Sequence, residues 1–142
     1  MSNNQLDAYK KISKITETPR ETEARVLMQG AIKLKRCLDA WEEKGWRKRL
    51  HDSLNYNQKI WTIFQSELSK NDNQQPLEIR KNLLSLSVFI NKKIRSAMVD
   101  PSKAKLNTII NINMNIAQGL GTSAVNQNKS NHNMASGTDQ LS

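Results

Sequence analysis

Between residues 18 and 120, apolar side chains return every three or four positions in four separate runs, and this spacing constrains the fold more than any other feature of the chain. Steps of three and four put side chains on one face of an α-helix. The first run is Ala24, Leu27, Met28, Ala31, Leu34, Leu38 and Trp41. The second is Leu50, Leu54, Asn57, Trp61, Phe64 and Leu68, widened by Ile60 and Ile63. The third is Ile79, Leu83, Leu86, Ile90, Ile94 and Ala97, broadened by Leu84 and Phe89, and the fourth is Leu106, Ile109, Ile110, Ile116, Ala117 and Leu120. Four amphipathic helices, each with a stripe to bury, predict an all-α fold: a small helical bundle of about four main helices.

The punctuation between the runs supports this reading. Thr18 can cap a helix, Pro19 suits its first position, and Glu21 completes a capping box. The first helix should end near Gly45 and the second start around Trp46, to be broken by the polar cluster 71–75. Pro76 opens the third, Asp100 and Pro101 are expected to cap and begin the fourth, and Gly119 or Gly121 to stop it. Gly30, inside the first helix, costs about 1 kcal/mol relative to Ala, which points to close approach by another helix. The β-branched residues Ile109, Ile110 and Ile112 permit a strand over 106–112, a reading that ranks second because no partner strand is evident. Residues 1–17, with Leu6, Ala8, Tyr9, Ile12 and Ile15, suit a short N-terminal helix or arm. From Gly121 onward the chain turns to Asn, Ser, Gln, Gly and Thr, too polar to offset its own ordering entropy. A disordered tail is expected over 121–142, leaving 18–120 as the helical domain.

Composition excludes much familiar chemistry. One cysteine, Cys37, rules out an intrachain disulfide, and with two distant histidines, His51 and His132, it cannot assemble a zinc site. Five glycines form no phosphate-cradling loop and no nucleophile elbow. The acids mostly stand beside bases, as on a solvated helical surface, and Cys37 precedes the core-type Leu38 with no histidine near it in sequence. The chain therefore reads as a protein without enzymatic activity, cofactor or metal. Mean hydropathy is -0.70, and no apolar run approaches the ~20 residues of a membrane span. The N-terminus lacks a basic region followed by an apolar one, so no secretory signal is expected and the location reads as cytoplasmic.

The net charge of +9 falls entirely within residues 1–120. It concentrates in Lys33–Arg36, in Lys44 with Arg47, Lys48 and Arg49, and in Lys92–Arg95. Trp46 beside Arg47, Lys48 and Arg49 resembles the aromatic and basic mixture of single-strand nucleic-acid binders. Basic side chains in a last helical turn also serve helix C-termini, and charge alone supplies attraction without recognition. Trp41, Trp46 and Trp61 suit either the core or an anchor for a partner helix. The apolar stripes are wider than a tight bundle needs, which hints at an open groove for another helix.

Several motifs bring a known family to mind. Ala8-Tyr9 followed by Thr18-Pro19-Arg20-Glu21 and Glu23 resembles the opening of the FlaF family of bacterial flagellar biosynthesis regulators. Asn57-Gln58-Lys59-Ile60-Trp61, running to Phe64 and Leu68, is similar to its second-helix motif. Gln75-Pro76-Leu77-Glu78-Ile79-Arg80 with Leu84-Ser85-Leu86-Ser87 resembles its third segment, and Asn107-Thr108-Ile109-Ile110 with Ala117-Gln118-Gly119-Leu120 its C-terminal motif. The motifs keep the family's order across residues 8–120. The tail after Leu120 is longer than the family's usual end, and Ile60 stands where Leu is expected.

The resemblance implies a helical, non-enzymatic protein of the cytosol, tied to flagellin synthesis and export. It would act as a flagellin-binding export chaperone alongside FlbT, a second regulator that acts on flagellin mRNA. Flagellin's terminal regions are amphipathic helices, and a chaperone would cover them before export. A groove lined by Leu54, Trp61, Phe64, Leu86 and Ile90 is expected to receive them, with basic residues along its rim and with Tyr9, Arg20 and Glu23 of the opening motif as further contacts. Arg20 and Glu23 can also pair with each other at three-residue spacing for ~0.2–0.5 kcal/mol. Two alternatives stand beside this reading. One is direct contact with flagellin mRNA through Arg47, Lys48 and Arg49, and the other is an adaptor for FlbT that leaves flagellin alone.

Overall fold

The structure, a computed structural model, describes residues 17–73 and 75–136, with side chains described as far as residue 121. The described residues form four α-helices and no strand: α1 (Pro19–Asp39), α2 (Trp46–Leu68), α3 (Leu77–Val99) and α4 (Lys103–Ser136). Residues 106–112 are thus helical. Neighbouring helices are joined by short turns. α1 packs along α2 and, most closely, along α4; α3 packs along α2 and α4; the diagonal pairs keep their backbones apart. This is an up-down-up-down bundle closed by its first and last helices.

Each start has a local cause. Thr18 Oγ1 accepts from Glu21 N–H at 3.1 Å while Glu21 Oε2 accepts from Thr18 N–H at 3.4 Å, the reciprocal box expected before Pro19. α1 stops at Asp39, before Gly45. Trp41 consequently sits in the intervening turn and not on the helix, with its ring centroid 4.9 Å from that of Trp46. Glu42 and Gly45 take positive φ there, and Gly45 stands at the N-cap of α2. Asp100 ends α3 instead of capping α4. Ser102 takes that role, its Oγ accepting from Lys105 N–H at 3.2 Å, so Pro101 lies outside the helix. Arg80, on the first turn of α3, donates to Leu68 O at 3.1 Å and Lys70 O at 2.8 Å, closing the end of α2.

α4 continues past Gly119 and Gly121. Neither glycine takes the left-handed conformation that ends helices. The helix extends to Ser136, and residues 137–142 lie outside the described residues.

The core runs along the bundle axis. Leu27, Leu34, Leu54, Trp61, Leu68, Ile90, Ile94, Leu106 and Ile109 are fully enclosed. At its centre lies a polar knot. Asn57 Nδ2 donates to Ser53 O at 2.8 Å and to Gly30 O at 3.1 Å, and Trp61 Nε1 donates to Asn113 Oδ1 at 2.8 Å. Both asparagines are completely buried. A Cβ on Gly30 would lie 2.5 Å from Asn57 Oδ1 and 2.9 Å from Asn113 Nδ2. The close approach expected at Gly30 is thus made by two side-chain amides. α3 contributes least to the core: Ser87, Ile90, Ile94 and Ala97 are buried, whereas Ile79 and Phe89 of its expected stripe are about half exposed.

Candidate functional site

An apolar groove of about 350 Å³ opens between the outer faces of α1 and α2. α1 supplies Thr22 and Val26; α2 supplies Tyr56, Ile60, Ile63 and Phe64 at helical steps. Leu27, Ile60 and Phe64 form the floor and are themselves buried. Ile63 stands on the wall at 64% exposure, an aliphatic side chain left in water by the fold. At one end Tyr56 donates to Gln29 Oε1 at 3.2 Å with Lys33 Nζ 4.9 Å from its ring centroid, and Lys59 completes that rim. At the other end stand Glu23 and Glu67, so the rim is mixed in charge and not the basic one expected.

Those two acids also line a polar cleft of about 220 Å³ below the groove, with Thr18, Arg20, Lys70 and Asp72. Burial pushes the Glu23 carboxyl above its ordinary 4.5; Glu67 pushes the same way, and Arg20 opposes both. Glu67 is held by Lys70 at 2.8 Å, a hydrogen bond that raises the lysine. Arg20 and Glu23 act on each other through space without an ion pair within 4 Å among the described residues. Glu17 accepts from Thr22 Oγ1 at 3.0 Å and from Arg25 Nε at 2.9 Å, fixing the chain just before α1 beside the groove wall.

No group of His, Cys, Asp and Glu among the described residues is placed to hold a metal ion. Cys37 is buried, its thiol 3.4 Å from Ser53 Oγ. None of the four helices is long and apolar enough to cross a membrane.

The chain matches the family model for flagellar protein FlaF over residues 5–120. It belongs to the FlaF family. No curated protein and no solved structure matches it. The match spans α1, α2, α3 and the described part of α4 that builds the core, so the flagellar assignment covers the whole bundle.

The FlaF-like motifs serve mainly to build that bundle. Thr18 and Glu21 are the capping box, Asn57 and Trp61 belong to the central knot, Arg80 closes α2, Ser87 is buried with its hydroxyl on Leu84 O, and Ala117 and Leu120 are core. Of the residues expected to line a groove, Leu54, Trp61 and Ile90 are consumed inside the bundle at 1% exposure or less, and Leu86 is half-buried on α3. Phe64 alone of that set borders the groove, from its floor. Arg20 and Glu23 are half-buried in the polar cleft. Arg47, Lys48 and Arg49 are exposed in the first turn of α2, and Tyr9 lies outside the described residues.

Sequence reasoning missed Val26, Tyr56 and Ile63 as groove residues. The signal was present: Tyr56, Ile60, Ile63 and Glu67 repeat at 4-3-4 steps, a second face of α2 beside the core stripe. Two overlapping stripes on one helix mark a helix that faces two surroundings.

Proposed function

We propose that this FlaF protein binds the amphipathic terminal helices of unassembled flagellin in the α1–α2 groove. It would keep them from premature polymerisation and so promote flagellin synthesis and secretion. The observation that carries the reading is the groove itself: an apolar trough between two helices, with Ile63 held in solvent at its wall. Apolar side chains at i, i+3, i+4 and i+7 of an incoming helix match such a trough. The mixed rim adds orientation, since Lys59 and the pair Glu23 and Glu67 stand at opposite ends and favour opposite charges along the guest. Family membership supplies the flagellar setting. The role is one of capture and release in the cytosol, with no bond made or broken.

Size-exclusion chromatography of the full chain with monomeric flagellin tests it. Co-elution that an Ile63→Asp substitution abolishes is the expected result. Separate elution at tens of micromolar would refute capture, and retention of FlbT without flagellin would replace it with an adaptor role.

A further inference from the structure

The basic clusters that lie apart in sequence meet at one end of the bundle. Its up-down-up-down order sets the end of α1, the start of α2, the end of α3 and the start of α4 side by side. Arg47 and His51 of α2 share a shallow cleft with Ala97 and Met98 of α3 and with Pro101 of the next turn. Residues 33–52 and 92–105, which make up this half, hold twelve Lys and Arg against five Asp and Glu. Residues 17–25 and 59–81, which carry the charges of the other half, hold six of each. The charge excess of the bundle is thus confined to one end.

Helix-end chemistry does not account for it. Cations favour helix C-termini, and Arg36 in the last turn of α1 conforms. Arg47, Lys48 and Arg49, however, occupy the first turn of α2, and Lys103 and Lys105 the first turn of α4, with no acid in either turn. Unpaired N–H groups make these ends positive already. α2 also lacks a side-chain cap, since Gly45 stands at that position. Lys105 is spent on the end of α3, donating to Asp100 O at 2.6 Å, and Lys48 pairs with Asp52 at 3.2 Å. Arg49 donates to Lys44 O at 2.7 Å, and the remaining cations of these two turns, Arg47 and Lys103, add to the helix dipoles and do not offset them.

Aromatic surface lies among the charges. Trp41 and Trp46 meet on the α1–α2 turn, both partly exposed, and the Arg47 guanidinium lies 4.7 Å from the Trp46 ring centroid. Cations tracking a backbone beside flat rings are the elements by which proteins hold unpaired bases. We propose that this end of the bundle binds single-stranded polynucleotide, with phosphates on Lys44 and Arg47 and a base stacked at the Trp41–Trp46 turn. Both tryptophans are anchored against the core while remaining partly exposed. The site is separate from the α1–α2 groove, and the proposal stands whether or not that groove takes flagellin.

Fluorescence anisotropy of the full chain with labelled oligo-uridine and oligo-thymidine of about 15 nucleotides tests it. Saturable binding is expected in the range of roughly micromolar to tens of micromolar at about 50 mM salt, weakening steeply toward about 200 mM, with a log–log slope of about 0.7 per phosphate held. The Lys44→Glu/Arg47→Glu double variant, both sites exposed and folding checked by circular dichroism, should lose about tenfold or more with a shallower slope. Lys81→Glu in the other half should change affinity less than about twofold, and Trp46→Leu should weaken binding at unchanged slope. Binding of uridine over thymidine oligomers, or of both equally, supports the site and tells RNA from general single-strand affinity. Absence of saturable binding at low salt would overturn it. So would equal losses from Lys81→Glu and the double variant, or binding of phosphatidylglycerol vesicles without oligonucleotide.

Discussion

Asn113 donates from Nδ2 to Asn57 Oδ1 across 2.7 Å at the centre of the bundle, joining α4 to α2 where their backbones do not meet. The same Nδ2 reaches Leu27 O on α1 at 3.1 Å, and Asn113 Oδ1 accepts the Trp61 indole N–H. Every amide hydrogen and oxygen of the pair is used, so the knot fixes three helices in one register. Asn113→Leu would strand the indole N–H and Asn57 Oδ1 in a dry interior at about 1–3 kcal/mol each. A loss of about 2–6 kcal/mol in urea unfolding is expected. Asn57→Leu/Asn113→Leu should cost less than the sum of the single changes, because each single change already breaks the shared bond. Additive losses would show that the two amides act independently.

Gly30 exists to admit that knot. Alanine is the better helix former by about 1 kcal/mol, but its Cβ would lie 2.5 Å from Asn57 Oδ1, which the amide's other bonds prevent from moving away. Overpacking of this kind costs roughly 1–3 kcal/mol. Gly30→Ala is therefore expected to lower the midpoint of thermal unfolding. Gly119 is the internal comparison: nothing lies within 4 Å of its added Cβ, so Gly119→Ala should raise the midpoint, by up to ~1 kcal/mol of stability. The opposite order of the two midpoints would refute the steric account.

The bundle was legible because helical spacing and capping are local. The Thr18–Glu21 box and the starts of α1 and α2 follow from residues within one turn of each other. Asn113 was hidden among Asn107, Asn111 and Asn115, all equally poor helix formers, although its place in the 106, 110, 113, 117 and 120 register marked it. Asn57 stood openly in its stripe, but its partner lay 56 positions away. The groove was harder to read. Apolar spacing tells that Leu54 and Ile63 both lie on apolar faces of α2, and only the neighbouring helices decide which face is covered. The convergence of the basic clusters is likewise a product of topology: the start of the second helix at Trp46 was legible, but that this start lies beside the end of the third helix and the start of the fourth is set by how the helices pack.

Glu23 makes stability depend on pH. Burial, aided by Glu67, raises its carboxyl above 4.5 in the folded chain, so the folded state holds this proton more tightly than the unfolded one. The stability this confers is complete below pH 4.5 and is lost as pH rises through the raised value. Glu23→Gln should therefore gain on the parent chain as pH climbs from about 4.5 toward about 7, and the two should converge in acid. Thermal melts across that window check it; a constant gap at every pH would show that the substitution acts through packing alone. The exposed Lys70–Glu67 pair should add little to the profile.

Ile63 and Leu54 lie on the same helix and separate binding from folding. Leu54 is 1% exposed in the core, so Leu54→Ala should cost about 2–5 kcal/mol through the cavity it leaves. Ile63 is 64% exposed, and an acid there removes no internal packing, so Ile63→Asp should shift stability by no more than ~0.5 kcal/mol. If the groove receives an amphipathic flagellin helix, the same Ile63→Asp change places a charge where an apolar side chain must dock. Binding should then weaken about tenfold or more, the 1.4 kcal/mol equivalent of leaving one aliphatic contact unmade. Paired urea titrations and calorimetric titrations with a flagellin terminal peptide measure both quantities on the same samples. Unchanged affinity in Ile63→Asp, with its stability intact, would exclude the groove as the docking surface.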